Sequence, residues 1–119
     1  MKKIITIICL LFIAFAGQAQ KKKKNAKYTL EVDGVCMMCK KRIEKAALNT
    51  KGVKFASWNL ENHQLTVIID ERKTNKKAVC QSMAKAGHDT KEIKATDEDY
   101  GKLDACCKYR DEEVVKNHH

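Results

Sequence analysis

The stretch "YTLEVDGVCMMCKKRIEKAALNT", residues 28–50, decides how the chain is read. Tyr28, Leu30 and Val32 alternate with Thr29, Glu31 and Asp33, a period of two that predicts a half-buried strand ending at Gly34. Cys39, Ile43 and Ala47 then recur at helical spacing, while Lys40, Lys41, Glu44 and Lys45 fill the opposite face. An amphipathic helix is therefore expected to run to about Thr50, with Gly52 as its terminator. Cys36 and Cys39 sit three apart where strand becomes helix, and Lys40, Lys41 and Arg42 follow directly. Two thiols so placed can hold a metal, exchange electrons or pack, and this stretch alone does not choose among them.

Downstream, "VKFASWNL" and "QLTVIID" read as the strands of a hairpin joined through "ENH". The first is out of phase: Ala56, Trp58 and Leu60 share a face that Val53 and Phe55 do not, which a bulge near Phe55 would reconcile. Thr74 or Asn75 can cap a second helix, lined by Val79, Met83 and Ala86 and stopped by Gly87. Lys91, Ile93 and Ala95 alternate as a last strand. The order is βαββαβ, an α+β, ferredoxin-like sandwich with a four-stranded antiparallel sheet and two helices on one face. After it, "DEDYGKLDACCKYR" places Leu103 with Cys106 and Cys107 at helical spacings between an acidic start and a basic end, predicting a short C-terminal helical tail.

The ends of the chain carry different information. "MKKIITIICLLFIAFAGQAQ" has two lysines, an apolar run from Ile4 to Ala16, and small residues at Gly17 and Ala19, the pattern of a cleaved export signal. The run is shorter than the roughly 20 residues that span a bilayer, so no stable membrane insertion is expected after cleavage. The expected division is a signal over 1–19, a basic linker over 20–26, the βαββαβ domain over 27–95 and a Cys-Cys tail over 96–119. Loss of Lys2 and Lys3 lowers the formal charge from +9 to +7, still strongly basic. The "KKKKNAK" run serves either as a solubilising tail or in docking. Export argues against nucleic acid, and the sheet lacks the aromatics on its first strand, beyond Tyr28, that RNA-stacking domains of this topology use. The expected location is periplasmic or secreted. Five cysteines survive cleavage, and an odd set with one CxxC and one vicinal pair suits thiol chemistry better than a disulfide framework.

Gly-x-Cys-x-x-Cys between a first strand and a first helix, in a chain of this order, resembles the heavy-metal-associated domain family. Gly52-Val53 and the "AGHD" of Ala86 to Asp89 add to the resemblance, which spans Lys27 to Ala95. It implies that Cys36 and Cys39 are metal ligands in a non-enzymatic metallochaperone or scavenger that passes its ion on by thiolate exchange. Two thiolates at a helix start suit a soft ion: Cu(I) first, with Hg(II) or Zn(II) as alternatives. The implied partner is a metal-transporting ATPase or other metal-handling protein with an acidic docking face, and a metal-bridged homodimer is a further expectation. A thiol-disulfide redox protein using the same CxxC is the alternative. Here Gly34 and Val35 precede Cys36 directly, whereas the family places Gly-Met-x there, so Met37 or Met38 is expected to supply the missing anchor. His88 is read as a third ligand or a surface imidazole, and Cys80 as a buried hydrophobe. Cys106 and Cys107 either extend the metal site or have a structural or disulfide role; adjacent on a helix, they would point in different directions. His118 and His119 carry little weight.

Overall fold

The computed structural model describes residues 22–117. The expected signal segment and the two terminal histidines lie outside the described residues. Strand β1 (Ala26–Glu31) leads to helix α1 (Met37–Leu48), then β2 (Val53–Trp58), β3 (Gln64–Ile69) and helix α2 (Lys76–Lys85). Beyond these come α3 (Asp97–Gly101), a 3-10 turn (Ala105–Cys107) and α4 (Glu112–Asn117). β1 begins two residues before Tyr28, inside the stretch expected as linker. The lysine run is tied down behind it, Lys23 exchanging backbone and side-chain hydrogen bonds with Glu71 at 2.9 and 3.1 Å.

The sheet is antiparallel in the order β1-β3-β2. β3 is central and its alternation is clean: Leu65, Val67 and Ile69 are buried, and Leu65 faces Leu30 of β1 and Trp58 of β2. The expected bulge is present, as a register shift between Val53 and Phe55, and it leaves Phe55 exposed while Trp58 turns inward. Cys39, Ile43 and Ala47 of α1 and Val79, Cys80 and Met83 of α2 close the core over one face of this sheet. Asn75 caps α2 by accepting from the Ala78 amide at 2.8 Å.

The fourth strand expected around Lys91, Ile93 and Ala95 does not form among the described residues. One isolated bridge, Val32 to Thr90, stands in its place. The chain turns there instead of extending: the Thr90 amide donates to the Ile93 carbonyl at 2.9 Å, and the Thr90 hydroxyl accepts from the Ile93 amide at 3.1 Å. The Ala95 amide donates to the Asp89 carboxylate at 2.7 Å, so the backbone groups a fourth strand would offer to β1 are used within this turn.

The tail is also not one helix. After α3 the chain bends back, inserts Leu103 and Cys107 into the core, and continues into α4. Gly87 makes this docking possible. Its φ of +97° is a conformation L side chains rarely adopt, and an added Cβ would lie 2.9 Å from both the Asp99 carbonyl and the Leu103 side chain. Gly87→Ala is expected to cost about 1–3 kcal/mol of stability, read as a lower denaturation midpoint with unchanged far-UV helix signal.

Candidate metal centre

The cysteine loop is set by its neighbours. Gly34 has no room for a side chain, since a Cβ there would stand 3.1 Å from the Trp58 indole. The indole N–H donates to the Val32 carbonyl at 3.0 Å, and the Asp33 amide donates to the Asp89 carbonyl at 2.9 Å, fixing the strand end from both sides. Glu44 accepts from the Trp58 amide at 2.9 Å and from Lys40 at 2.6 Å, which ties α1 to the end of β2. The anchor expected of Met37 or Met38 is not theirs: both are exposed, at 54% and 47%. Val35 and Trp58 are buried there instead.

Cys36 is the N-cap of α1 and half-buried, while Cys39, one turn on, is fully buried. Their sulfurs are 3.6 Å apart. The 3-10 turn of the tail arrives on the same spot: Cys107 Sγ is 3.3 Å from Cys36 Sγ, and Cys106 Sγ is 3.9 Å from Cys107 Sγ. Cys36, Cys106 and Cys107 place their sulfurs within 4.8 Å of one another, and the Met38 thioether lies 3.5 Å from Cys106. The expectation that the vicinal thiols diverge is thus corrected, since a tight 3-10 turn, not an α-helix, carries them. All of these cysteines are free thiols.

Electrostatics separate the four. Burial pushes the Cys36 thiol up, but the backbone N–H groups of Cys39 and Met38 at the helix start, with the Cys107 and Cys39 thiols, bring it below its ordinary value. Burial raises Cys39. Burial likewise pushes Cys107 up to about 12, against the opposing pull of Arg42, and Cys106 is raised to about 11 by desolvation and by Cys107. Cys36 is therefore the thiol of the four that ionises most readily, because crowded sulfurs do not ionise together. Of the three basic residues after the CxxC, Arg42 is the one that reaches these sulfurs. Lys40 is turned to Glu44 and the Trp58 carbonyl.

His88 lies behind the loop. It is fully buried, with Nδ1 2.8 Å from the Asp33 carbonyl oxygen, so Nδ1 carries the proton and Nε2 is a bare acceptor without a partner. It is neither the surface imidazole nor a member of the sulfur group within 4.8 Å. Desolvation holds its pKa down at about 4, with Arg42 nearby acting in the same direction and the Asp33 carbonyl and Asp89 opposing. A histidine held below its unfolded value of 6.5 makes the unfolded chain the better proton binder between the two pH values. Stability is expected to be full above pH 6.5 and to fall by up to about 3 kcal/mol as pH drops toward 4. Denaturation midpoints across this window should be flatter in His88→Phe than in the parent.

The tail is clamped by residues that the sequence did not single out. The Tyr109 hydroxyl donates to the Gly87 carbonyl at 2.7 Å and accepts from the Asp89 amide at 2.9 Å. Arg110 makes a two-pronged pair with Asp89, at 2.8 and 3.2 Å, and donates to the Ala95 carbonyl at 2.8 Å. Their adjacency to the vicinal cysteines in "CCKYR" was the available signal. Cys80 stays apart, buried in α2, with Glu92 3.8 Å away.

The heavy-metal-associated domain family matches residues 29–89, a span that includes Cys36 and Cys39 and stops short of Cys106 and Cys107. Among solved structures the chain is similar to a CopZ metallochaperone, at 33% identity over 55% of this chain and 98% of that one, with a TM-score of 0.53. A copper-binding domain from a P-type ATPase is 26% identical over 55% and 89% of the two chains, with a TM-score of 0.53. The water-soluble region of the P-type ATPase CopA from Bacillus subtilis is 28% identical over 60% of this chain and 47% of that one, again at 0.53. No curated protein matches the chain by sequence.

Proposed function

The chain belongs to the heavy-metal-associated domain family, and from that premise we propose that it is an exported carrier of a soft thiophilic ion, held at Cys36 and Cys39 and passed on by thiolate exchange. The family is one of metal-binding, metallochaperone-like domains, not of enzymes, and such domains associate with metal-transporting P-type ATPases. The observation that carries the reading is the pair of sulfurs 3.6 Å apart at the start of α1, with the thiolate-favouring member on the more accessible side.

Cu(I) is the first choice of cargo, since it accepts few sulfur ligands and exchanges them readily. Exchange needs an open side. Met37 and Met38 are exposed beside the thiols, and Lys41 and Lys45 are exposed along α1. An acceptor with an acidic rim would be steered by those lysines and would seat its own thiolate against the ion before Cys36 lets go. A metal-transporting ATPase is the proposed acceptor, and the periplasm or the extracellular space the proposed compartment. Anaerobic titration of the reduced chain with Cu(I) against a competing chelator tests this: one tightly held ion per chain is expected, and failure to compete with the chelator would overturn it.

A further inference from the structure

The two cysteines of the family loop are not the whole sulfur set, and the spacing of the set carries information about coordination. An ion with metal-sulfur bonds of about 2.3 Å sets two sulfurs roughly 4.6 Å apart when they oppose each other, and roughly 3.8 Å apart at the corners of a tetrahedron. The separations here are 3.6 Å for Cys36 to Cys39, 3.3 Å for Cys36 to Cys107 and 3.9 Å for Cys106 to Cys107. These three lie nearer the tetrahedral edge than the linear span; Cys36, Cys106 and Cys107 have their sulfurs mutually within 4.8 Å, and Cys39, outside that mutual group, joins it through Cys36.

We propose that the C-terminal Cys106-Cys107 turn closes the two-cysteine loop into a four-sulfur site, with Cys36, Cys39, Cys106 and Cys107 as ligands, so that beside Cu(I) on the loop pair alone the chain takes one tetrahedral thiophilic ion of the zinc and cadmium class. The proposal rests on the reading of Cys36 and Cys39 as ligands and adds to it a ligand pair from outside the family-matched span. The tail is built to deliver that pair. Leu103 and Cys107 are core residues, Tyr109 and Arg110 grip Gly87 and Asp89, and Tyr100 packs edge-on against Tyr109 at 5.2 Å with Arg110 over its ring at 4.3 Å. Fixing one side of a site before the ion arrives removes part of the ordering cost of binding.

The charge also fits. Binding converts four S–H groups to four metal-sulfur bonds and releases their protons to solvent, with no change of oxidation state. A divalent ion in four thiolates leaves two negative charges. Arg42, placed against Cys107 and ion-paired to Asp104 at 3.5 Å, and the N-terminal end of α1 stand beside them.

Co(II) is a suitable probe, because its thiolate charge-transfer absorbance grows with the number of cobalt-sulfur bonds and its visible bands mark tetrahedral sites. The reduced full chain is expected to bind one Co(II) with a tetrahedral spectrum and to release about four protons per ion. Cys106→Ser, Cys107→Ser should show about half the charge-transfer absorbance and release about two protons. Since Cys107 is a core residue, Cys106→Ser alone, at a half-exposed position, serves as the second variant, with about three-quarters of the parent absorbance expected. Parent-like spectra and proton counts in both tail variants would overturn the four-sulfur site and leave the CxxC reading standing. A parent-like spectrum in Cys36→Ser, Cys39→Ser would overturn the CxxC reading itself.

Discussion

Replacing Cys36 and Cys39 together by serine is expected to weaken Cu(I) binding by more than about 100-fold, beyond the roughly 10- to 100-fold that loss of outer-shell support costs a metal site. Serine keeps the size of the side chain but removes the soft, polarisable sulfur that a closed-shell monovalent ion prefers, and a hydroxyl does not ionise in this pH range to replace it. The effect should be concentrated in these two positions because they share one helix start and because Cys36 alone of the four thiols is brought below its ordinary value. Cys36 is the thiol brought below its ordinary value, and Cys39 shares the same helix start, whereas Cys107 is pushed up to about 12. The first sulfur to meet an ion is therefore Cys36, and Cys39, 3.6 Å away on the same helix start, completes the pair. Competition with a chelator of known strength, with far-UV circular dichroism to confirm the fold, measures the change. Retained parent-like affinity in the double variant would refute the assignment.

Trp58→Ala is expected to remove about 3–5 kcal/mol of stability, the range for deleting a large aromatic from a core. The residue is 1% exposed, its ring fills the space beside Gly34, and it is the inner end of the bulged strand β2. Deleting it opens a cavity under the cysteine loop and leaves the Val32 carbonyl without the indole N–H at 3.0 Å. Trp58→Phe separates the two contributions: it keeps most of the ring volume and should cost only the hydrogen bond and part of the packing, about 1–3 kcal/mol. Urea denaturation followed by circular dichroism reads both. An alanine variant as stable as the parent would show that the loop does not depend on this ring. Because Trp58 also stacks on His63, at a centroid distance of 5.4 Å, the same variant should loosen the β2-β3 connection.

The periodic parts of this fold were legible from the sequence because periodicity is a local consequence of burial. Leu65, Val67 and Ile69 alternate since one face of β3 is covered, and Cys39, Ile43 and Ala47 recur since one stripe of α1 is. The bulge at Phe55 could be read from a phase error, and the Asn75 cap from its residue type. The last strand failed for an equally local reason that has no periodic signature. Lys91, Ile93 and Ala95 alternate as a strand would, but Thr90 and Asp89 have side chains that capture the amides of Ile93 and Ala95 and fold the segment on itself. The methionine anchor failed because residue type alone does not say which side chain of a loop faces inward, and only the packed loop shows Val35 buried with Met37 and Met38 exposed.

By itself the sequence determined the strand-loop-helix that carries Cys36 and Cys39 and the helix end at Gly87, since each depends on residue type and on spacing within a few turns of chain. The tertiary structure alone decided that Cys107, 71 residues beyond Cys36, stands 3.3 Å from it, and that His88 faces inward to Asp33. Neither is encoded in a local pattern. Both result from Tyr109 and Arg110 closing on Gly87 and Asp89, a contact between segments far apart in the chain, whose geometry exists only once the core on which they meet is packed.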